Sequence, residues 1–286
     1  MKKGAEPTVV DSAQKKDMLA YSKGNSLQKD PFFCVPVANH PTSQGDVVLP
    51  MMIYDATFAM AVFLCDLDKV EKVFEGTGMV PSFRMGGKGV VGLGLIEYRA
   101  TSLGPYNEVG LALPQLWSKS NTLFDCVKSM LELYRDTRTK EMGYYVAHLP
   151  VTTELARVVG YECWGFPKFV TKINIGINKR NMDCGVMDPN GKDSIFTIKG
   201  KLGPGVPVPS LDILDNTIKD GKPMRTVVNT RGVARLYLGG NAVLSLGRSG
   251  HPMAQTMRSL ALDGKRPVCT HIVPKFQSLL HAGGVY

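Results

Sequence analysis

The run Val90-Val91-Gly92-Leu93-Gly94-Leu95-Ile96-Glu97-Tyr98, the turn at Gly104-Pro105, and then Glu108-Val109-Gly110-Leu111-Ala112-Leu113 decide the fold class. Two apolar, β-like segments follow one another with only a Gly-Pro turn between them. Working outward, Val47 to Leu64 reads as two more strands, and Asp66 or Asp68 can cap a short helix through Val70 and Val73. Thr122 to Tyr134 has helical periodicity, which predicts an amphipathic helix with Leu123, Val127, Met130, Leu131 and Tyr134 on one face. Tyr144 to Leu149 is a strand, Phe169 to Asn178 alternates again, and Pro189-Asn190-Gly191 is a hairpin turn signal. Val227 to Leu246 gives two further strands, and Ala254 to Leu262 reads as a helix. Consecutive strands with few helices between them predict a mainly β (α+β) fold, a closed antiparallel β-barrel with a few peripheral helices. Residues 1–44 are polar and turn-rich, and read as an arm that is either disordered alone or docked on a neighbour. The barrel domain is expected over residues 45–286.

Between these strands lies Gly160-Tyr161-Glu162-Cys163-Trp164-Gly165-Phe166-Pro167-Lys168. Thr152 or Thr153 can cap a helix here, with Glu154 in its first turn, where the macrodipole favours an anion. Leu155, Val158, Val159 and Cys163 recur at helical spacing. Gly165 can supply a left-handed C-terminal residue, and Pro167 forbids resumption of the helix. Lys168 is therefore expected at a rigid helix-to-strand corner beside Trp164, Phe166 and Phe169. An amine fixed against aromatic surface is poorly solvated, which favours its neutral form. A neutral amine is what a carbonyl substrate needs to form a Schiff base. The alternative for such a lysine is a solvated side chain just past a helix stop, and for the aromatics an ordinary core.

The pattern Gly160-x-Glu162-x-x-Gly165-Phe166-Pro167-Lys168 resembles the lysine motif of the acetoacetate decarboxylase superfamily. Ser102-Leu103-Gly104-Pro105-Tyr106-Asn107-Glu108-Val109 resembles that family's second signature, which ends in an active-site glutamate. Gly250-His251-Pro252-Met253-Ala254, followed by Leu260, is similar to a third and weaker segment, and the three occur in the family's order. The resemblance implies a mainly antiparallel barrel enclosing the lysine, in a homo-oligomer. It implies Lys168 and Glu108 as catalytic residues and a small keto acid as substrate, without a cofactor. Phe166, Trp164 and Tyr106 are expected around the substrate. A glutamate just inside a strand usually points to solvent, but in a wet barrel the same alternation turns it inward, where it can hold an iminium or shuttle a proton. Glu162 is either a solvated helix residue or has a structural or site role.

The sequence also departs from the family. In its decarboxylases a second lysine follows the first, whereas Phe169 stands here; the strand alternation predicts that Phe169 packs behind the sheet. Those enzymes carry an arginine in the early strands, but Val47 to Met60 contains no basic residue and does contain Asp55. Arg84, Lys88, Arg99 or Arg248 can supply a charge from elsewhere, with Arg84 and Arg248 the first choices. The chemistry expected is decarboxylation of an acetoacetate-like β-keto acid, or of an α-keto acid, through a Lys168 iminium. The alternatives are aldol and dehydration chemistry on the same lysine, or a barrel that binds a small ligand without catalysis.

Composition bounds the remaining classes. The chain has 286 residues, 44% of them hydrophobic, enough for a full core, and its 30 glycines and 18 prolines suit short strands and tight turns. No run reaches the length of a membrane span, and Met1-Lys2-Lys3-Gly4-Ala5-Glu6 lacks a signal peptide's apolar core, so a soluble, cytoplasmic protein is expected. The formal net charge is +9, but the basic residues are scattered, which points to attraction of anionic substrates rather than to nucleic acid. The six cysteines have neither zinc nor redox spacing and read as reduced structural thiols, Cys163 included. Five histidines without ligand spacing argue against a metal site. Gly87-Lys88-Gly89-Val90-Val91-Gly92 matches a dinucleotide-binding glycine pattern, but a strand-like run follows it where a helix is required. Ser245-Leu246-Gly247-Arg248-Ser249-Gly250 lacks a hydrolase elbow's frame, and His251-Pro252 reads as a helix start.

Overall fold

A computed structural model describes residues 30–117 and 125–285. Among these residues the chain forms strands and helices numbered here in chain order. Strand β3 (Met51–Asp66) pairs antiparallel with β6 (Lys88–Thr101), β6 with β7 (Tyr106–Leu116), and β7 with β8 (Gly143–Val151). Strand β8 runs parallel to β14 (Ile213–Lys219), which pairs antiparallel with β15 (Lys222–Arg231). Strand β18 (Cys269–Leu280) joins β15 to β3 and so closes a ring of seven strands. Closure satisfies the backbone groups that an open edge would leave unpaired.

Alternation along these strands sorts the side chains into two cores. Ala59, Ala61 and Phe63 of β3, Leu93 and Leu95 of β6, and Val109, Leu111 and Leu113 of β7 face outward. A four-stranded sheet covers them: β10 (Ile173–Asn178), β11 (Asn181–Met187), β12 (Ser194–Lys201) and β17 (Val243–Leu246). Its Met182, Cys184, Val186, Phe196 and Ile198 complete that layer. Each fully buried leucine or phenylalanine there stabilises the fold by about 1.5–3 kcal/mol. The opposite set, Phe58, Met60, Ile96, Tyr98 and Tyr106, belongs to the inner core, with Val146 and Leu149 of β8.

Helix α3 (Glu154–Trp164) packs Ala156, Val159 and Trp164 into that inner core. Its start is fixed by Thr153, whose hydroxyl accepts a hydrogen bond from Ala156 N at 3.3 Å. Thr152 has a different task. Its hydroxyl accepts from Asn107 N at 2.9 Å, and its own amide donates to Asn107 O at 3.1 Å, which ties the helix entry to β7. At the far end Gly165 adopts φ 65°, ψ 20°, with Gly165 N donating to Tyr161 O and Phe166 N to Gly160 O. This is the left-handed stop the sequence predicts. Pro167 then turns the chain into β9 (Lys168–Val170), which lies parallel to β8 with Leu149 opposite Lys168.

Several expectations need correction. The closed barrel itself is the one expected, antiparallel except where β8 pairs with β14, and outside the ring β9 also runs parallel to β8. The segment Val227 to Leu246 holds parts of three strands, not two: β15, β16 (Ala234–Leu238) and β17, with a break at Gly239-Gly240. Strands β14 and β18 were not anticipated. Helix α1 (Leu67–Val73) begins after Asp66, whose carboxylate takes Lys69 and Lys88 rather than capping the helix. Helix α2 (Asp125–Glu132) does not bury the expected apolar face. Met130, Leu131 and Tyr134 are exposed, while Ser129 and Glu132 are buried. Polar partners pull that side in, since Ser129 donates to Ser82 O at 3.1 Å and Glu132 accepts from Glu141 N at 2.7 Å. Thr122 and Leu123, and the side chain of Val127, lie outside the described residues. Helix α4 (Pro252–Ser259) starts at His251 with Pro252 in its first turn, as the sequence suggests. Residues 1–29 of the expected arm are also outside the description; beyond them, Asp30 accepts from Arg231 Nη1 at 2.8 Å and β1 (Ala38–His40) pairs with β2 (Val47–Leu49).

A Gly165→Ala substitution tests the helix stop. The left-handed conformation costs a residue with a Cβ about 1–2 kcal/mol, and a Cβ here would lie 2.6 Å from Lys219 Cβ. Urea unfolding is expected to show a loss of at least that size with an unchanged m-value.

Candidate active site

Lys168 opens β9 immediately after the helix stop, and its side chain runs back across helix α3. It can do so because residue 160 is glycine. A Cβ on Gly160 would sit 2.3, 2.5 and 3.0 Å from Cδ, Cε and Nζ of Lys168. The ammonium thus reaches Glu108, with Nζ 2.7 Å from Oε2 and side-chain exposures of 4% and 8%. Glu108 is held inward by its register: it pairs with Ile96 on β6 and Val151 on β8. Its Oε1 accepts the Tyr98 hydroxyl at 3.2 Å, and Oε2 has no hydrogen-bonding partner besides the ion-pair contact.

Aromatic rings surround the pair. The Tyr106 and Phe166 ring centres lie 5.8 and 5.5 Å from Lys168 Nζ, and Tyr98 packs on Tyr106 with centroids 4.5 Å apart. Burial raises the hydroxyls of Tyr98 and Tyr106 well above the usual phenol range, and the Glu108 charge adds to the effect, so both remain neutral donors.

A third titratable group shares this interior. Asp215 sits on β14 opposite Tyr144 of β8. Burial first, and the Glu108 charge second, push the Asp215 carboxyl up to about 7, with Lys168 pulling the other way. Burial and Asp215 together raise the Tyr144 phenol to about 12. Asp215 nevertheless keeps part of its surface uncovered, as do Tyr98, Ile96 and Tyr144.

The residues expected around the substrate separate into two groups. Lys168, Glu108, Tyr106 and Phe166 come together. Trp164 is fully buried behind Phe166, at a centroid distance of 5.9 Å, with its indole N–H donating to His281 O at 2.7 Å. Arg84 lies on β5 (Arg84–Met85) with Nε donating to Pro81 O, and Arg248 is exposed beside the outer sheet. Neither is among the charges acting on Asp215, Tyr98 or Tyr106. Arg99 is also engaged elsewhere, bidentate on Asp55 with both contacts at 2.7 Å. Glu162 faces away and accepts from Ser43 N at 2.9 Å. Phe169 packs on His251, with ring centres 4.1 Å apart, and joins the outer core. Cys163 is half-buried and burial raises its thiol, so it is a poor nucleophile.

Tyr98, Tyr144 and Asp215 were not foreseen as site residues. The only signal for Asp215 is the alternation in Ile213-Leu214-Asp215-Asn216-Thr217-Ile218, and nothing in it says which face turns inward.

The family pattern described as acetoacetate decarboxylase (ADC) matches residues 34–229, well over half of the chain, and the chain belongs to that family. No relative among curated protein sequences matches it. Solved structures agree on the fold. One, from structural studies of acetoacetate decarboxylase, has a TM-score of 0.58 and 18% identity, covering 83% of this chain and 89% of its own. The acetoacetate decarboxylase of Legionella pneumophila subsp. pneumophila str. Philadelphia 1 has a TM-score of 0.58 and 14% identity over 92% of this chain and 95% of its own. The enduracididine biosynthesis enzyme MppR complexed with pyruvate has a TM-score of 0.55 and 10% identity over 84% and 91%.

Gly160→Ala tests whether the glycine holds the lysine at its carboxylate. Alanine favours a helix over glycine by about 1 kcal/mol, but breaking a buried ion pair costs about 3–5 kcal/mol. Net destabilisation in urea is expected; a more stable variant would show that the amine has another way to Glu108.

Proposed function

We propose that this protein is a Schiff-base carbon–carbon lyase acting on a small keto acid, most simply decarboxylating an acetoacetate-like substrate. The observation that carries the reading is the buried amine of Lys168, paired with Glu108 and walled by Phe166, Tyr98 and Tyr106. Glu108 is placed to take the ammonium proton, which frees the nitrogen lone pair for the substrate carbonyl. The amine adds, water leaves, and an iminium forms. In a β-keto acid the electrons of the bond to the carboxylate then move into the iminium, giving carbon dioxide and an enamine. The enamine carbon takes a proton, and water releases the ketone from Lys168.

No cation besides Lys168 is among the charges acting on Asp215, Tyr98 and Tyr106, so a substrate carboxylate would enter without a dedicated partner. This weakens its binding, but a poorly solvated carboxylate also loses its charge as carbon dioxide departs, which favours the cleavage step. In a second reading the enamine of pyruvate adds to an aldehyde and the product is dehydrated. MppR, solved with pyruvate and with the condensation product of pyruvate and imidazole 4-carboxaldehyde, shares the fold at a TM-score of 0.55. Both readings need the same amine.

Borohydride with acetoacetate or pyruvate is expected to leave one reduced adduct at Lys168 and nowhere else, the substrate less one oxygen atom or, where carbon dioxide has already left acetoacetate, an isopropyl group, and Lys168→Arg to abolish it. Carbon dioxide release from acetoacetate selects the first reading; an absorbing condensation product from pyruvate and an aldehyde selects the second. A folded protein that traps no keto acid is a binding barrel and not this enzyme.

A further inference from the structure

We propose that Asp215 is the acid–base residue that gives and takes the proton at the substrate carbon next to the Lys168 iminium. The inference rests on the Schiff-base reading above and names a residue that reading leaves without a role. Two carboxyl groups share the barrel interior, and their situations differ. Glu108 is committed at both oxygens, Oε2 to the lysine nitrogen and Oε1 to the Tyr98 hydroxyl. A carboxylate tied to the nitrogen serves the carbonyl–iminium end of the substrate. The Asp215 carboxyl forms no hydrogen bond or ion pair with any described residue, and part of the residue's surface is uncovered. It comes from β14, on the far side of β8 from β7, so it approaches the interior from a different wall than Glu108. The titratable groups that act with it are Glu108 of β7, Lys168 of β9, Tyr98 of β6 and Tyr144 of β8; its β15 neighbour is Thr226, which does not titrate.

The electrostatics fit the assignment. Lys168 and Glu108 cancel, so a third charge in the barrel would stand alone, and the Asp215 carboxyl, pushed up to about 7, is protonated in a large fraction of molecules near neutrality. A group that titrates near the working pH can both donate and accept. In the forward step the enamine's carbon–carbon π electrons take the Asp215 proton, and the nitrogen lone pair re-forms the C=N bond. Asp215 is left as a carboxylate facing a cationic iminium, which compensates its charge. The reverse step removes a proton from the iminium's α-carbon and regenerates the neutral acid. Atoms and charge balance without a co-reactant.

The test follows hydrogen-to-deuterium exchange of the pyruvate methyl group in D2O by NMR, with borohydride trapping measured on the same samples. Asp215→Asn is expected to trap pyruvate on Lys168 as the wild type does while exchange falls about 100-fold or more, and Asp215→Glu is expected to recover part of it. In the wild type, exchange should rise with pH through about 7 as the carboxylate forms, and that inflection should vanish in Asp215→Asn. Normal trapping with exchange within a few-fold of wild type in Asp215→Asn overturns the assignment while leaving the lysine reading intact. Should the variant fail to fold, a flat wild-type exchange profile between pH 6 and 8 overturns the assignment equally. Absence of trapping in the wild type overturns both readings at once.

Discussion

A lysine and a glutamate 2.7 Å apart, with 4% and 8% of their side chains exposed, can occupy a barrel interior only because each neutralises the other. Removing two charges from water is expensive, and the Coulomb attraction offsets that cost only when the geometry is held. Much of the surrounding structure does the holding. Gly160 leaves room for the lysine's methylenes, and the left-handed Gly165 ends the helix where the chain must turn. Pro167 O accepts from Leu149 N and starts the parallel contact of β9 with β8. Thr152 fastens the helix entry to Asn107, the residue before Glu108, so the same short stretch of chain positions both members of the pair.

What could be read from the sequence divides along the line between local and distant causes. The lysine corner was legible because its chemistry is local: a hydroxyl cap, a glycine stop and a proline follow one another within fifteen residues, from Thr153 to Pro167. The closed barrel was legible in the succession of strands. The inward direction of Glu108 was not legible from alternation alone. Glu97 is on the neighbouring strand and points out to Arg99, while Glu108 points in. Their parity is settled by the outer sheet, which buries Leu93, Leu95, Val109 and Leu111 and leaves Ile96, Tyr98 and Glu108 to the barrel. Asp215 was hidden for a related reason, because β14 acquires its meaning from β8, some seventy residues earlier. The misread face of helix α2 has in part the same origin: Ser82, which draws Ser129 inward, lies 47 residues before it, while Glu141 holds Glu132 from just beyond the helix.

The departure from the family pattern in the early strands has a structural consequence. Asp55 stands in the stretch where the resemblance led one to look for an arginine, and it binds the guanidinium of Arg99 through both oxygens at the half-exposed outer side of the barrel. The nearest basic side chain on the strands around Glu108 is thereby kept out of the interior. Phe169, in place of a second lysine, turns to His251 and the outer core. Both changes remove positive charge from the neighbourhood of the pair, and among the described residues the groups that act together there include one amine, Lys168, and two carboxyls, Glu108 and Asp215.

That inventory constrains any anionic substrate. The surface carries an excess of positive charge, with a formal net charge of +9, so it attracts anions toward the protein. The interior offers them none beyond the ammonium already matched by Glu108. An anion therefore joins the pair at lower cost while Asp215 holds its proton, since two negative charges in one poorly solvated space repel. The raised Asp215 carboxyl and the missing cation are then two sides of one balance. In the Schiff-base reading proposed above, a neutral acid in the same interior would also be the proton source that an enamine requires.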